Sequence, residues 1–334
     1  MFRSRPLYAT TADSRYMVWT ADARAARAAL GRGRNTLVHG PSGAGRTTLL
    51  HQIEHELRAA GGSVLFVALR DVADALEASE LLLDAAAEAG LVAGDGAGEP
   101  RPRAGAESPL AVNRAVRRLG SLPAGTVLLV DDVGAAVGHA LFGRLRDDLW
   151  QLPLTWGVAV HDDDVGGLLT PPADAFFETT VALRPLDARE RVELVEKRAT
   201  SGRGDLSRAQ IESLGDSGPG NPRRLVDLGR LAAEDDVDPQ QLIAAARRRL
   251  QLAESAAGRD GAMLVVEMQS LGPVSASDET LAGRLGWPRP RIASTLSRLE
   301  GAALARSFLE AREGRTGRPR KLYELVPETE LMSR

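Results

Sequence analysis

Residues 36–48 read Thr36-Leu37-Val38-His39-Gly40-Pro41-Ser42-Gly43-Ala44-Gly45-Arg46-Thr47-Thr48. An apolar run ends at Gly40, glycines recur at Gly43 and Gly45, and a helical pattern starts at Arg46 and runs to a Gly61-Gly62 stop. The segment fits G-x-x-x-x-G-[KR]-[ST] in the strand–loop–helix setting that gives the pattern its meaning. Glycine lets the backbone turn successive N–H groups toward one point, and the helix that follows adds its positive end. Gly40, Pro41, Ser42, Gly43, Ala44, Gly45, Arg46, Thr47 and Thr48 are therefore expected to cradle the phosphates of ATP or ADP. The Thr47 hydroxyl is placed to ligate Mg²⁺.

Further strands are predicted at 63–69, 126–130, 154–160 and 177–183, beside the one at 35–39. Helices are predicted between them, at 21–30, 74–90, 109–119 and near 138–150. Residues 91–108 are rich in Gly, Pro, Glu and Arg and read as an exposed loop. Alternating strands and helices imply an α/β fold with a parallel sheet covered on both faces. Ligands of such sheets bind at the carboxyl ends of the strands, where both the glycine-rich loop and Asp131 fall. From residue 187 the pattern becomes helical, with helices expected at 187–201, 207–215, 222–233 and 238–257.

The run Thr126-Val127-Leu128-Leu129-Val130-Asp131-Asp132 has the form of a Walker B strand. Asp131 is expected in the Mg²⁺ shell and Asp132 where an acid orients the attacking water. Two features argue for slow or absent hydrolysis. Arg46 replaces the usual lysine with a wider, planar, forked cation. Asp132 is one methylene shorter than the glutamate common at its position.

The chain has 334 residues, 43% of them hydrophobic, and a net charge of −3. That length supports two or three packed units. The acidic balance excludes a uniformly basic nucleic-acid binder, so such a contact needs a local patch. There is no cysteine, which excludes disulfides and thiolate metal sites. The N-terminal residues lack the apolar run of a secretory signal, and no stretch approaches the ~18 apolar residues of a membrane span. A cytoplasmic protein with no membrane partner is expected. Of the 42 basic residues only Lys197 and Lys321 are lysine, so arginine is the default cation of this chain.

These motifs resemble those of the AAA+ and STAND P-loop ATPases, in particular origin-recognition-type initiators with a C-terminal winged helix. The segment from Phe177 through Arg184-Pro185-Leu186 to Arg191 is similar to that family's passage into a helical lid. Gly220-Asn221-Pro222-Arg223-Arg224-Leu225 is similar to its sensor 2, and 154–161 lies where its sensor 1 strand does. The resemblance implies a P-loop core at 1–184, a helical lid at 185–258 and a winged helix at 259–334. It places Arg223 on the γ-phosphate, beside Arg46 and Asp132 as the groups acting on the triphosphate. It places Arg144 or Arg146 as an arginine finger toward the site of a neighbouring copy in a homo-oligomer. His161, followed by Asp162, Asp163 and Asp164, stands where sensor 1 has a small polar residue.

Residues 260–330 read as three helices (262–271, 278–285, 289–303) and a hairpin. Ile292, Leu296 and Leu299 give the third helix a buried stripe. Arg289, Arg291, Ser294, Thr295 and Arg298 are assigned to its other face, suited to phosphate and base-edge contact with double-stranded DNA. Arg315, Arg318, Arg320 and Lys321 lie in or beside the hairpin turn and extend the basic patch. A STAND-type switch whose winged helix meets a protein partner, and a scaffold that holds nucleotide without hydrolysing it, are the alternatives.

Overall fold

Five short runs rich in valine and leucine build a wholly parallel sheet. The computed structural model describes residues 2–3, 7–92, 109–199, 206–234, 237–310 and 320–332. Contacts divide the chain into two units. The first comprises Ser4–Arg198 with Gly220–Arg223, and the second Met1–Arg3, Ala199–Pro219 and Arg224–Arg334.

The first unit runs α1 (Thr11–Ser14), α2 (Ala21–Leu30), β1 (Thr36–Gly40), α3 (Arg46–Ala59), β2 (Val64–Ala68), α4 (Ala75–Glu88) and α5 (Pro109–Leu119). It continues β3 (Val127–Asp131), α6 (Ala135–His139), a π-helical turn (Ala140–Arg144), α7 (Arg146–Trp150), β4 (Thr155–His161) and α8 (Asp162–Leu168). A 3₁₀ turn (Ala173–Phe176), β5 (Thr179–Ala182) and α9 (Ala188–Arg198) complete it. The sheet order is β2-β3-β4-β1-β5. Side chains alternate along each strand. Leu37, Leu128, Val130, Val158 and Val160 pack on one face with α4 and α5, and Val38, Leu129, Ala159 and Val181 on the other with α2 and α3. With β4 between β1 and β3, Gly40 pairs with His161 and Ala68 with Asp131. The sequence motifs thus gather at one edge.

Two elements differ from expectation. The helix predicted near 138–150 is interrupted by the π turn, where Leu145 N–H reaches Ala140 O at 3.2 Å, five residues back. Close packing accompanies the irregularity: a Cβ on Gly138 would lie 2.4 Å from Leu168 Cδ1, and one on Gly143 3.3 Å from Ala173 Cβ. The acidic run 162–164 opens the unpredicted helix α8, with His161 at the N-cap. Three carboxylates in a first turn suit the positive end of a helix.

The second unit contains α10 (Arg208–Ser217), the remainder of α11 (Pro222–Glu234), α12 (Pro239–Leu271), α13 (Glu279–Leu285), α14 (Arg289–Gly301), β6 (Ala305–Glu310), β7 (Arg320–Leu325) and α15 (Glu328–Met332). Helix α12 is broken at Ala257 and Gly258, both non-helical. Its last turns, α13 and α14 enclose Leu264, Val265, Met268, Leu281, Ile292, Leu296 and Leu299. The antiparallel β6–β7 pair covers this core, and Val274 adds a bridge to Tyr323. Among the described residues no helix is long and apolar enough to cross a membrane.

Gly157 sits at the crossing of the sheet and α2, where a Cβ would meet Leu129 Cδ2 at 2.8 Å and Leu30 Cδ1 at 3.0 Å. Gly157→Val is therefore expected to destabilise the protein by about 1–3 kcal/mol, read as a lower urea midpoint with unchanged m-value.

Candidate functional site

The loop after β1 achieves its turn with two left-handed glycines, Gly43 at φ 78° and Gly45 at φ 95°. Gly45 caps α3 and offers no side chain to the first-turn N–H groups. Those donors and the helix end remain directed at an anion. A Cβ on Gly43 would lie 2.7 Å from Asn221 Oδ1 and 2.8 Å from Arg223 Cβ. Arg223 N–H donates to Gly43 O at 3.2 Å, and Asn221 Nδ2 donates to Ser42 O at 2.8 Å. The segment read as sensor 2 therefore lies directly on the phosphate loop, and glycine at 43 is what permits the approach. Asn221 is a loop-anchoring residue that the sequence reading treated only as a helix cap.

Thr47 donates its hydroxyl to Asp131, at the end of β3. Asp131 is 1% exposed, and its Oδ1 has no hydrogen-bond partner among the described residues. Burial pushes its carboxyl above the usual carboxylate range, opposed by the Thr47 hydrogen bond, with Asp132 adding a like charge. A buried acid with one unused oxygen beside a threonine hydroxyl is a fitting donor set for a hard divalent cation. Thr47 and Asp131 are the residues present to hold Mg²⁺.

Arg46 folds back, its Nη1 donating to Gly40 O across the loop. Asp132 has a left-handed backbone, φ 53°, and its Oδ2 accepts from Arg70 Nη2 at 2.7 Å and Nε at 3.2 Å. Arg70 follows β2, paired to β3, so the sheet register brings the two together. This hydrogen bond, with the Asp132 charge second, lifts the Arg70 guanidinium above its ordinary value. Arg70 was not among the residues singled out from the sequence.

The acids after β4 are engaged locally. His39 Nδ1 donates to Asp162 Oδ1 at 2.7 Å, Asp163 N–H donates to His161 Nδ1 at 3.3 Å, and Ala135 N–H donates to Asp164 Oδ1 at 3.3 Å. Of the two finger candidates, Arg146 is held within its own chain. Its Nε donates to Asp147 at 2.9 Å and its guanidinium covers the Trp150 ring at 4.8 Å. Arg144 is exposed, at the end of the π turn.

The C-terminal basic face is smaller than the sequence implies. Thr295 does not face solvent: it is 5% exposed and donates to Arg291 O. Its place at i+3 from Ile292 and i+4 from Arg291 puts it on the buried stripe, a spacing readable from the sequence. Arg291 is forked onto Asp260 by two 2.8 Å hydrogen bonds and stacks on Trp287 at 4.4 Å. Arg320 donates to Ser275 at 2.8 Å and lies 3.5 Å from Asp278, and Lys321 pairs with Glu300 at 3.1 Å. Asp260 and Asp278 precede the window in which the basic excess was counted. Arg289, Ser294 and Arg298 are exposed on α14. Arg315 and Arg318 lie outside the described residues.

No known family's profile matches the chain, and no curated protein matches it. Among solved structures it is similar to the Aeropyrum pernix ORC1 protein in complex with DNA, at 18% identity over 94% of this chain and 90% of that one, with a TM-score of 0.49. It is similar to Cdc6p from Pyrobaculum aerophilum, at 12% identity over 96% and 98%, with a TM-score of 0.48. It is also similar to the Thermotoga maritima RuvB Holliday junction branch migration motor, at 19% identity over 92% and 90%, with a TM-score of 0.44.

Because its folded pKa is raised, ionising Asp131 opposes folding. The protein alone should lose stability as pH rises from the unfolded value through the folded one. Asp131→Asn, which mimics the neutral acid, should therefore raise the melting temperature at neutral pH without added nucleotide or Mg²⁺. The same substitution should weaken Mg²⁺-ATP binding by about tenfold or more, measured by titration calorimetry.

Proposed function

We propose that the protein is a nucleotide-switched, DNA-binding ATPase of AAA+ type that holds ATP longer than it hydrolyses it. The observation that carries this reading is the junction of Thr47 with buried Asp131 beside a loop shaped by Gly43 and Gly45. In this reading backbone N–H groups of residues 43–47 donate to the β- and γ-phosphates, and Arg223 donates to the γ-phosphate. Mg²⁺ bound by Thr47 and Asp131 supplies charge neutralisation at the same phosphates. Asp132 orients the attacking water once Arg70 releases it, and Arg144 reaches the site of a neighbouring copy. Two features support slow turnover: the Arg46 fork is turned onto Gly40 O, and Asp132 is already paired.

Double-stranded DNA is assigned to the C-terminal helices and hairpin, read as a winged helix, through Arg289, Ser294 and Arg298. The internal pairing of Arg291, Arg320 and Lys321 favours a second reading, in which this surface meets a protein and the chain is a STAND-type switch. DNA retention measured with ATP, with ADP and without nucleotide separates the two.

Pure protein is expected to bind ATP and turn it over slowly; several turnovers per second would overturn the proposal. Arg70→Ala should raise turnover with ATP affinity unchanged, because it frees Asp132 without touching the phosphate cradle. Arg46→Lys should also raise it. Arg289→Glu with Arg298→Glu should weaken DNA binding at every sequence and flatten its salt dependence by about one unit of slope per lost phosphate contact.

A further inference from the structure

The break in α12 is a backbone feature that the nucleotide reading does not use. Gly258 has φ 65° and ψ −161°, a conformation open essentially to glycine alone. Three residues on, a Cβ at Gly261 would lie 2.2 Å from Ala253 O. The two segments of α12 thus meet backbone to side-chain position, with glycine required on both counts. Ala253, before the break, packs in the same core as Leu264, Ile292 and Leu331.

One side chain spans this joint. Arg249, two turns before the break, is 2% exposed. Its Nη1 donates to Glu328 at 2.6 Å, on the first turn of α15, and its Nη2 donates to Val326 O, just after β7. Val326 N–H in turn donates to Leu304 O at 3.0 Å, beside β6. The segment before the break is therefore tied by one guanidinium to the far end of the helix–hairpin unit that follows it. Burial drives the Arg249 guanidinium below its ordinary value, opposed by Glu328. Arg224 on α11 is likewise lowered by burial and feels the same Glu328 carboxylate. Two desolvated cations thus depend on one anion, and removing it leaves them in mutual repulsion.

We propose that Arg249, Glu328 and the Val326 carbonyl form a latch across the Ala257–Gly258 joint. Closed, it fixes the helix–hairpin unit of residues 259–332 on the first segment of α12. Open, it lets that unit swing about Gly258. The inference concerns the C-terminal unit alone and stands whether its surface meets DNA or protein.

The absence of cysteine makes the test direct. Cysteines introduced at the exposed positions Gln251 and Ser297, spin-labelled in the full chain, report the distance across the joint. The parent is expected to give one narrow distance distribution. Glu328→Gln, which keeps the shape of the side chain, should broaden it or add a second population at least as large as the first. Glu330→Gln, at the neighbouring carboxylate that lies 3.8 Å from Arg306, should leave it narrow. Arg249→Met gives a second opening of the latch, and circular dichroism confirms the helix content of each variant. A Glu328→Gln distribution identical to the parent's, or an equal broadening in Glu330→Gln, would overturn the latch.

Discussion

Everything at the candidate site depends on how closely two pieces of backbone approach at Gly43. A left-handed glycine with nothing beyond its α-carbon leaves room for Asn221 and Arg223 to lie on the phosphate loop. A methyl group there would collide with both residues, on a backbone that side-chain-bearing residues rarely adopt. The loop, its sensor segment and the first turn of α11 are thus set by one steric condition, and the polar contacts of Asn221 and Arg223 follow from it. The charge of Asp131 obeys the same economy. The sheet buries it at a strand end, one oxygen is used by Thr47, and the other is left for a cation.

The sequence was most legible where chemistry is local. The glycine spacing at 40–45 and the apolar strand ending in Asp131 each lie within a few residues, and both appear in the structure as read. Legibility failed where meaning depends on the register of distant segments. Nothing near Asp132 in the sequence points to Arg70; they meet because β2 and β3 pair with Ala68 opposite Asp131. The basic excess of α14 and the hairpin was counted among neighbours in the chain, while Asp260 and Asp278 enter from earlier helices. Thr295 is a different kind of miss, since its helical position next to Ile292 already places it inward. The acids 162–164 were read as a charge to be kept from phosphate, whereas a helix start and two histidines absorb them.

Arginine dominates the cationic chemistry of this chain, and the structure shows what that does. At Arg46 and Arg291 the planar fork finds acceptors within the protein, a carbonyl in one case and a carboxylate in the other. A compact ammonium would be satisfied by water in the same places. Many of these guanidinium groups are therefore structural cross-links as much as surface charges, and counts of basic residues overstate the field that a ligand meets.

The π turn at Ala140–Arg144 has an evolutionary consequence. It holds one more residue than an α-helical turn between Gly138, wedged against Leu168, and the aromatic cluster of Phe142, Trp150, Phe176 and Trp156. Losing a single residue here would rewind the segment as ordinary helix and rotate all that follows by about 100°. Trp150 would leave Phe176, and Arg144 would turn to a different azimuth. Relatives that keep this packing must therefore conserve the length of the segment more strictly than its letters, and insertions or deletions should be tolerated in pairs that restore the phase.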